Sequence, residues 1–389
     1  MSSNIRVAMI IQNYHPLVGG AERQLAALAP LLQAQGVDVH VLTRRYSNLA
    51  PFEMIDNVPV HRLPIIQSKA IASFMFTLAA LPLLKRLRPH VIHAHGLLSP
   101  TTTAVAAKRI FGSPVVSKSL RGGTLGDLDR LKRKPFGMRR ISTFRQRVDA
   151  FVTISHEINT ELVEVGIPAE RCHFIPNGVD LNRFSPPSPA QKQTLRAMLG
   201  LSNGPIVIST CRLEPEKRVA QLIGIWPAIR AAHPDASLLI LGTGTEETKL
   251  KQQAGVGIQF LGRVEDVVPY LQASDLFVLP SATEGLPNAL LEALAIGLPA
   301  IATAVGGTPD VINHQETGWL IPADSPSVLQ EATLTLLGNA GYRDKLGQQG
   351  LERVVEGYTL PMTANRLCAL YEKLLQVKSG KMEHQVEQE

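Results

Sequence analysis

Cysteine is scarce in this 389-residue chain: Cys172, Cys211 and Cys368 are the only three, and none stands at metal-ligand spacing from another. A sparse, odd set excludes a disulfide framework or a zinc site and fits a reducing compartment. Aromatic residues are also few, at 5%, while Ala, Leu, Val and Ile dominate. That mix suits parallel sheets covered by helices better than a β-sandwich. No apolar run reaches the roughly 20 residues that span a bilayer; the longest, residues 70–84, is broken by Ser73, Thr77 and Pro82. The N-terminal apolar run lacks the long core and small-residue cleavage site of a secretory leader, and reads as a buried first strand. Acidic residues nearly vanish between Lys108 and Arg147. There, Asp127 and Asp129 alone accompany Arg109, Lys118, Arg121, Arg130, Lys132, Arg133, Lys134, Arg139, Arg140 and Arg145. The stretch carries no interleaved aromatics or reader motif, so nucleic acid is not expected. It is either a solvated basic face or a docking surface for anionic lipid or an anionic acceptor.

What is present is a globular composition, 45% hydrophobic with 19% charged residues, in a chain long enough for two domains. Residues 5–12 form a nearly continuous apolar run, as in a strand buried on both faces. The run Leu17-Val18-Gly19-Gly20 ends it, and apolar residues Ala21, Leu25, Leu28 and Leu32 then recur at helical spacing as far as Gly36. Pro30 is expected to kink that helix. Strands at 37–43, 91–94, 115–119 and 150–154, with helices at 74–86 and 101–111, continue a βαβ rhythm. The stretch 184–189, with three prolines and two serines, reads as a linker. Asn177-Gly178-Val179-Asp180, just before it, reads as a turn and hinge. A second βα series follows, with strands at 206–211, 237–241, 257–261, 276–280 and 300–302. The expected division is residues 1–183, residues 190–360, a helix at 361–377 returning toward the first domain, and a flexible tail at 378–389. Chemistry in such sheets sits on loops beyond the strand C-termini.

Three such loops carry chemistry. Beyond the strand ending at Pro280 lies Ser281-Ala282-Thr283-Glu284-Gly285-Leu286-Pro287-Asn288-Ala289-Leu290-Leu291-Glu292. Pro287 suits a first helical position, which puts Leu286 at the N-cap, where leucine cannot accept a hydrogen bond. The N–H groups of Asn288, Ala289 and Leu290 then remain for an anion, which gains about 0.3–1 kcal/mol from the helix dipole. Glu284 and Glu292 are poor partners for a phosphate and should bind hydroxyls instead. In Cys211-Arg212-Leu213-Glu214-Pro215-Glu216-Lys217, Arg212 and Lys217 can converge on a diphosphate, one as a planar fork and one as a point charge. Gly19-Gly20-Ala21-Glu22 permits close backbone approach to a ligand. Gly242-Thr243-Gly244 repeats that possibility. His93 and His95 share one face of a strand, so one of them is expected to be buried. Asp127-Leu128-Asp129 matches a metal-binding acidic pair only by chance, in a basic and irregular segment, and no metal is expected.

In these loops the chain resembles the retaining glycosyltransferases of family 4, the glycosyl transferases of group 1. Their hallmark is a pair of glutamates separated by seven residues, as Glu284 and Glu292 are. The resemblance implies an α/β, GT-B fold: two Rossmann-like, doubly wound parallel-sheet domains facing a cleft. It implies that Glu284 touches the transferred sugar, Glu292 the ribose, and Arg212 and Lys217 the diphosphate. Gly19, Gly20, Gly242, Arg263, Val264, Gly285, Leu286, Asn288 and Ala289 complete the donor side. Glu22, His95 and Arg121 fall toward the acceptor or phosphate, with Arg121 where relatives carry a cleft histidine. Gly285-Leu286-Pro287-Asn288 also replaces the more common Gly-Phe-Gly. The implied activity is metal-independent transfer of a hexosyl group, with retention, from a nucleotide-diphosphate sugar to a glycan or lipid-linked acceptor. The implied setting is bacterial surface-polysaccharide assembly, in the cytoplasm or peripherally on the inner face of its membrane. No cofactor beyond the donor is expected. A sugar-nucleotide epimerase on the same architecture is the alternative. A Rossmann oxidoreductase would need a Gly-x-Gly-x-x-Gly fingerprint with an acidic residue about 20 positions on, which neither half contains.

Overall fold

A computed structural model describes residues 5–17, 19–46, 48–65 and 72–386, with side chains through residue 378. Val18 and the start of the apolar run at 70–71 lie outside the described residues. The chain forms two compact units: Met1–Asn177 with Leu360–Glu389, and Gly178–Thr359. The sequence boundary at 183–190 therefore falls inside the second unit.

Unit 1 carries the strands β1 (Ile5–Ile11), β2 (Val37–Arg45), β3 (Phe52–Ile55), β4 (Val58–Pro64), β5 (Val91–His95), β6 (Val115–Lys118), β7 (Ala150–Thr153) and β8 (Cys172–Phe174). They pair in the order β3-β4-β2-β1-β5-β6-β7-β8. All neighbours are parallel except β3 and β4. Its helices are α1 (Gly20–Ala34), α2 (Ala72–Leu87), α3 (Ser99–Phe111), α4 (Asp127–Lys132), α5 (Gly137–Arg147) and α6 (His156–Glu164). From Val7 onward β1 is buried on both faces, which its unbroken apolar run anticipates. Helix α1 contains Pro30 and continues through it to Ala34.

Unit 2 begins its helices with α7 (Pro189–Met198). Its strands are β9 (Ile206–Thr210), β10 (Ser237–Leu241), β11 (Ile258–Gly262), β12 (Leu276–Leu279), β13 (Ala300–Thr303) and β14 (Trp319–Ile321). Their order is β11-β10-β9-β12-β13-β14, parallel throughout. Helices α8 (Val219–Ala232), α9 (Glu247–Gln253), α10 (Val268–Ala273), α11 (Asn288–Ala295), α12 (Thr308–Val311), α13 (Pro326–Gly338) and α14 (Ala340–Gly357) connect or flank them. The order is that of the Rossmann sheet, reversing direction between its first and fourth strands. The core gathers Val207, Leu222, Trp226, Leu238, Ile240, Val278, Ile301 and Leu329.

The last helix, α15 (Leu360–Val386), belongs to unit 1. Its Ala364, Leu367, Leu370 and Tyr371 join the core built by β1, α1 and β2. The expected flexible tail from 378 is helical to Val386, and residues 387–389 lie outside the described residues.

Candidate active site

In unit 2 the strand order reverses between β9 and β12, and two loops leave their C-terminal ends there. The Ala282 N–H donates to the Glu216 carbonyl at 2.7 Å, tying one loop to the other. A short 3-10 turn, Pro215–Lys217, then delivers Lys217 toward the second loop. The Lys217 Nζ donates to Glu284 Oε1 at 2.5 Å, with side chains only 11% and 7% exposed. Two buried charges persist only when paired, because each forfeits hydration worth several kcal/mol. The pairing therefore holds an ammonium and a carboxylate side by side at the sheet's reversal point. Behind Glu284, Gly306 at φ +59° presses so closely that a Cβ would collide with the Glu284 carbonyl. The next amide, Gly307 N–H, donates to the Gly285 carbonyl at 2.5 Å.

The side chains of Arg212 and Lys217 take different partners. Arg212 is 60% exposed, with Nη2 3.5 Å from Glu216 Oε1, while Lys217 turns inward to Glu284. The helix start also differs from expectation. Pro287, not Leu286, is the N-cap of α11. The Leu290 and Leu291 N–H groups both donate to the Pro287 carbonyl, at 3.1 and 3.3 Å. Leu290 is thereby removed as an anion donor, and the anion-facing end shortens to Asn288 and Ala289, both half-buried. Gly285 and Leu286 are buried in the approach to this helix, and Glu292 is half-buried on it.

Gly242, at φ +134°, has a packing reason of its own: a Cβ would strike the Cys211 carbonyl. Its N–H donates to the Gly262 carbonyl at 2.7 Å. Arg263 is exposed and Val264 half-buried beyond the edge strand β11.

Unit 1 has its own reversal, between β1 and β5. A cavity of about 240 Å³ opens there, lined among others by Asn13, Glu22, His95, Leu98, Asp127 and Arg130. The Gly19 N–H donates to Glu22 Oε2 at 2.9 Å, so Glu22 caps α1 while also lining the cavity. Gly20 opens α1 and is exposed, and Arg121 is half-buried in the loop after β6.

Both expected histidines are buried, stacked with centroids 4.4 Å apart. His93 Nδ1 lies 2.7 Å from the Tyr371 hydroxyl of α15. Burial, aided by the nearby Lys118 charge, pushes His93 down to about 3. Burial and the neighbouring His93 and Lys118 push His95 well below the usual imidazole range. Both rings are therefore neutral at physiological pH, and among the described residues the Nε2 atoms of both have no hydrogen-bond partner.

Lys118, which the sequence gives no role beyond the basic stretch, is buried at the end of β6 and pushed down to about 8 by burial. It donates to Asn177 Oδ1 at 2.9 Å. Its position at a strand terminus was the available signal. Asp127 begins a helix, α4, rather than lying in irregular chain, and is buried. Its Oδ2 accepts the Leu120 N–H at 3.0 Å, and burial raises its pKa. Asp129 instead pairs with Arg133 at 2.7 Å. The two carboxylates serve different ends. Among the described residues no cluster of three or more His, Cys, Asp or Glu could hold a metal ion.

With both sites in view, the chain is a glycosyltransferase by family. Residues 18–183 match the model of Glycosyltransferase Family 4, and residues 204–339 that of Glycosyl transferases group 1. A GDP-mannose-dependent alpha-(1-6)-phosphatidylinositol monomannoside mannosyltransferase of Mycobacterium tuberculosis is 30% identical over 286 residues, 70% of this chain and 73% of that protein. The chain belongs to this glycosyltransferase family. It is also 27% identical over 380 residues, 94% of its length and 98% of the relative's, to a GDP-mannose-dependent monoacylated alpha-(1-6)-phosphatidylinositol monomannoside mannosyltransferase of Corynebacterium glutamicum. Among solved structures, sucrose-phosphate synthase of Thermosynechococcus elongatus superposes with a TM-score of 0.81 at 22% identity, covering 96% of this chain and 100% of that one. Anabaena HepE in complex with UDP-glucose gives 0.78 at 18%, covering 95% and 100%. The fold is GT-B, two Rossmann-like parallel-sheet units. No helix among the described residues is long and apolar enough to cross a membrane.

Proposed function

We propose that the protein transfers a hexosyl group from a nucleoside-diphosphate sugar to a hydroxyl of a glycan or lipid-linked acceptor, with retention and without a metal or other cofactor. The buried Lys217–Glu284 pair at the reversal of the unit 2 sheet carries this reading. The start of α11 takes the diphosphate and Glu292 the ribose hydroxyls. Lys217 and Arg212 stabilise the charge that develops on the leaving diphosphate, and Glu284 holds the transferred sugar by its hydroxyls. The sugar C1–O bond to the diphosphate breaks as a bond to the acceptor oxygen forms on the same face. The acceptor proton passes to the departing diphosphate oxygen. No carboxylate is assigned as a nucleophile, so no covalent sugar–enzyme intermediate forms. The two cations and the helix start supply the field a divalent ion would otherwise provide. The polar cavity of unit 1 receives the acceptor hydroxyl group, with His95 and Glu22 on its wall and Arg121 nearby. The relatives' names, with GDP-mannose or UDP-glucose as their sugar nucleotide, support the donor class. The phosphatidylinositol acceptors in two of those names support a lipid-linked acceptor, and with it a setting in surface-glycan assembly on the inner face of the membrane.

The test is a thermal-shift series with uridine, guanosine and adenosine diphosphates, followed by an NMR time course with the responding sugar nucleotide. At 100 times its Kd a ligand adds about 2.7 kcal/mol of stability. Stabilisation by one diphosphate and a product of unchanged anomeric configuration in EDTA are expected. An inverted product, or activity restored only by magnesium, overturns the mechanism.

A further inference from the structure

Three helices of unit 1 lie side by side and start at the same end of the sheet, beyond the strand C-termini. The Ser73 hydroxyl of α2 donates to Ser99 of α3 at 3.0 Å, and Thr77 and Thr103 share a hydrogen bond of 2.8 Å one turn on. From the other flank, Arg140 of α5 donates to the Leu98 carbonyl at 2.8 Å and to Thr102 Oγ1 at 2.6 Å. Around these starts the surface reverses the usual partition. Phe136 is 71% exposed, Phe74 63% and Met138 62%. Phe136 sits at φ +58°, a left-handed conformation that a bulky residue rarely adopts. The Arg139 guanidinium lies 5.7 Å from its ring centre.

Cations surround this apolar corner. Arg130, Lys132, Arg133, Lys134 and Arg139 are all exposed, and no acidic residue occurs between Arg130 and Arg147. A solvated basic face explains the lysines and arginines but leaves exposed Phe and Met side chains among them without a reason. An anionic lipid surface accounts for both: phosphates for the cations, and the acyl boundary a few ångströms deeper for the apolar side chains.

We propose that the corner between α4 and α5 inserts Phe136 and Met138 into the interface of an anionic bilayer, with the surrounding cations on the lipid headgroups and Phe74 at the rim. Leu98 and Arg130, which line the unit 1 cavity, belong to the same end of the unit. The cavity therefore opens at the membrane-facing end, and its occupant is borne on a lipid. This last step rests on the transferase reading; insertion itself does not.

Sedimentation with vesicles of phosphatidylglycerol and phosphatidylcholine, against phosphatidylcholine alone, decides it. Wild-type protein should bind the anionic vesicles preferentially, and less as salt rises. Phe136→Asn with Met138→Ser, where Asn tolerates the left-handed backbone, should weaken binding about tenfold or more at every salt concentration. Lys132→Gln with Arg133→Gln and Lys134→Gln should weaken it on the order of a hundredfold at low salt. Phe136→Trp should gain a blue-shifted emission on anionic vesicles, above the background of Trp226 and Trp319 in unit 2. An unshifted emission, or an apolar variant that binds like wild type, overturns insertion. Each variant should keep the wild-type thermal shift with nucleoside diphosphate. Loss of that shift in the wild type with vesicle binding intact removes the transferase reading alone.

Discussion

At the reversal of the unit 2 sheet, burial is met by pairing: Lys217 and Glu284 form an ion pair within hydrogen-bond distance. At the same topological place in unit 1, burial is met by neutralisation: His95 loses its proton affinity and stacks on a neutral His93. One winding order thus supports two electrostatic solutions. A paired cation is preorganised for a charged ligand, since a diphosphate can share the ammonium without any group having to ionise first. A neutral imidazole beside a polar cavity is suited to a hydroxyl, which it meets by hydrogen bonding rather than by charge. The two units therefore differ in how each handles its buried titratable groups, and the proposed donor and acceptor sides follow that difference.

Removing one member of the pair breaks this comparison most severely. Lys217→Ala should lower turnover about 10²–10³-fold and destabilise the protein by about 3–5 kcal/mol, because Glu284 is left buried and unpaired. Adding Glu284→Gln should recover most of that stability, read by denaturant unfolding, and none of the turnover. If stability stays lost in the double variant, the pair is not the source of the cost.

Arg212→Ala sharpens the same contrast. Its exposed guanidinium contributes little to the fold, so turnover should fall about 10²-fold with an unchanged unfolding midpoint. Near-wild-type turnover would leave Arg212 outside the chemistry.

The effect that is smallest near neutral pH belongs to unit 1 and appears as a pH dependence. His93 is held near 3 in the folded chain against an ordinary 6.5. Between those values the unfolded chain binds a proton that the folded chain refuses, so stability is fully present above about pH 6.5 and declines as pH falls toward 3. His93→Gln, which can still hydrogen-bond Tyr371, should flatten this decline in a thermal-melt series. An identical slope in wild type and variant would remove His93 as its source.

The βα rhythm was legible because strands buried on both faces declare themselves as apolar runs, β1 from Val7 onward and β12 most plainly. The β3–β4 hairpin was not read, since β3 is largely exposed and lacks that signature. Its signal was the turn: Asp56 and Asn57 both adopt positive φ, 49° and 62°, as a two-residue hairpin loop requires. The stretch read as a linker contains the start of α7, where Ser188 accepts the Gln191 N–H and the Gln191 side chain accepts the Ser188 N–H. Prolines drew attention to punctuation and away from that reciprocal cap. In the loop after β9, sequence spacing put Arg212 and Lys217 near each other, but it could not reveal that the 3-10 turn rotates only Lys217 inward. Tyr371 stands 278 residues from His93 in the chain, and no local pattern joins them.

Helix α15 gives the molecule an order of assembly. The ribosome begins unit 1 first, yet Ala364, Leu367, Leu370 and Tyr371 of its core emerge only after all of unit 2 has been made. At about 5–20 residues per second, translation holds the N-terminal sheet without its closing helix for roughly ten to forty seconds. During that interval the α1 face that α15 will cover is open to water and to chaperones. The half that starts first is finished last, and a nascent chain stalled before Leu360 carries a complete second unit beside an incomplete first one.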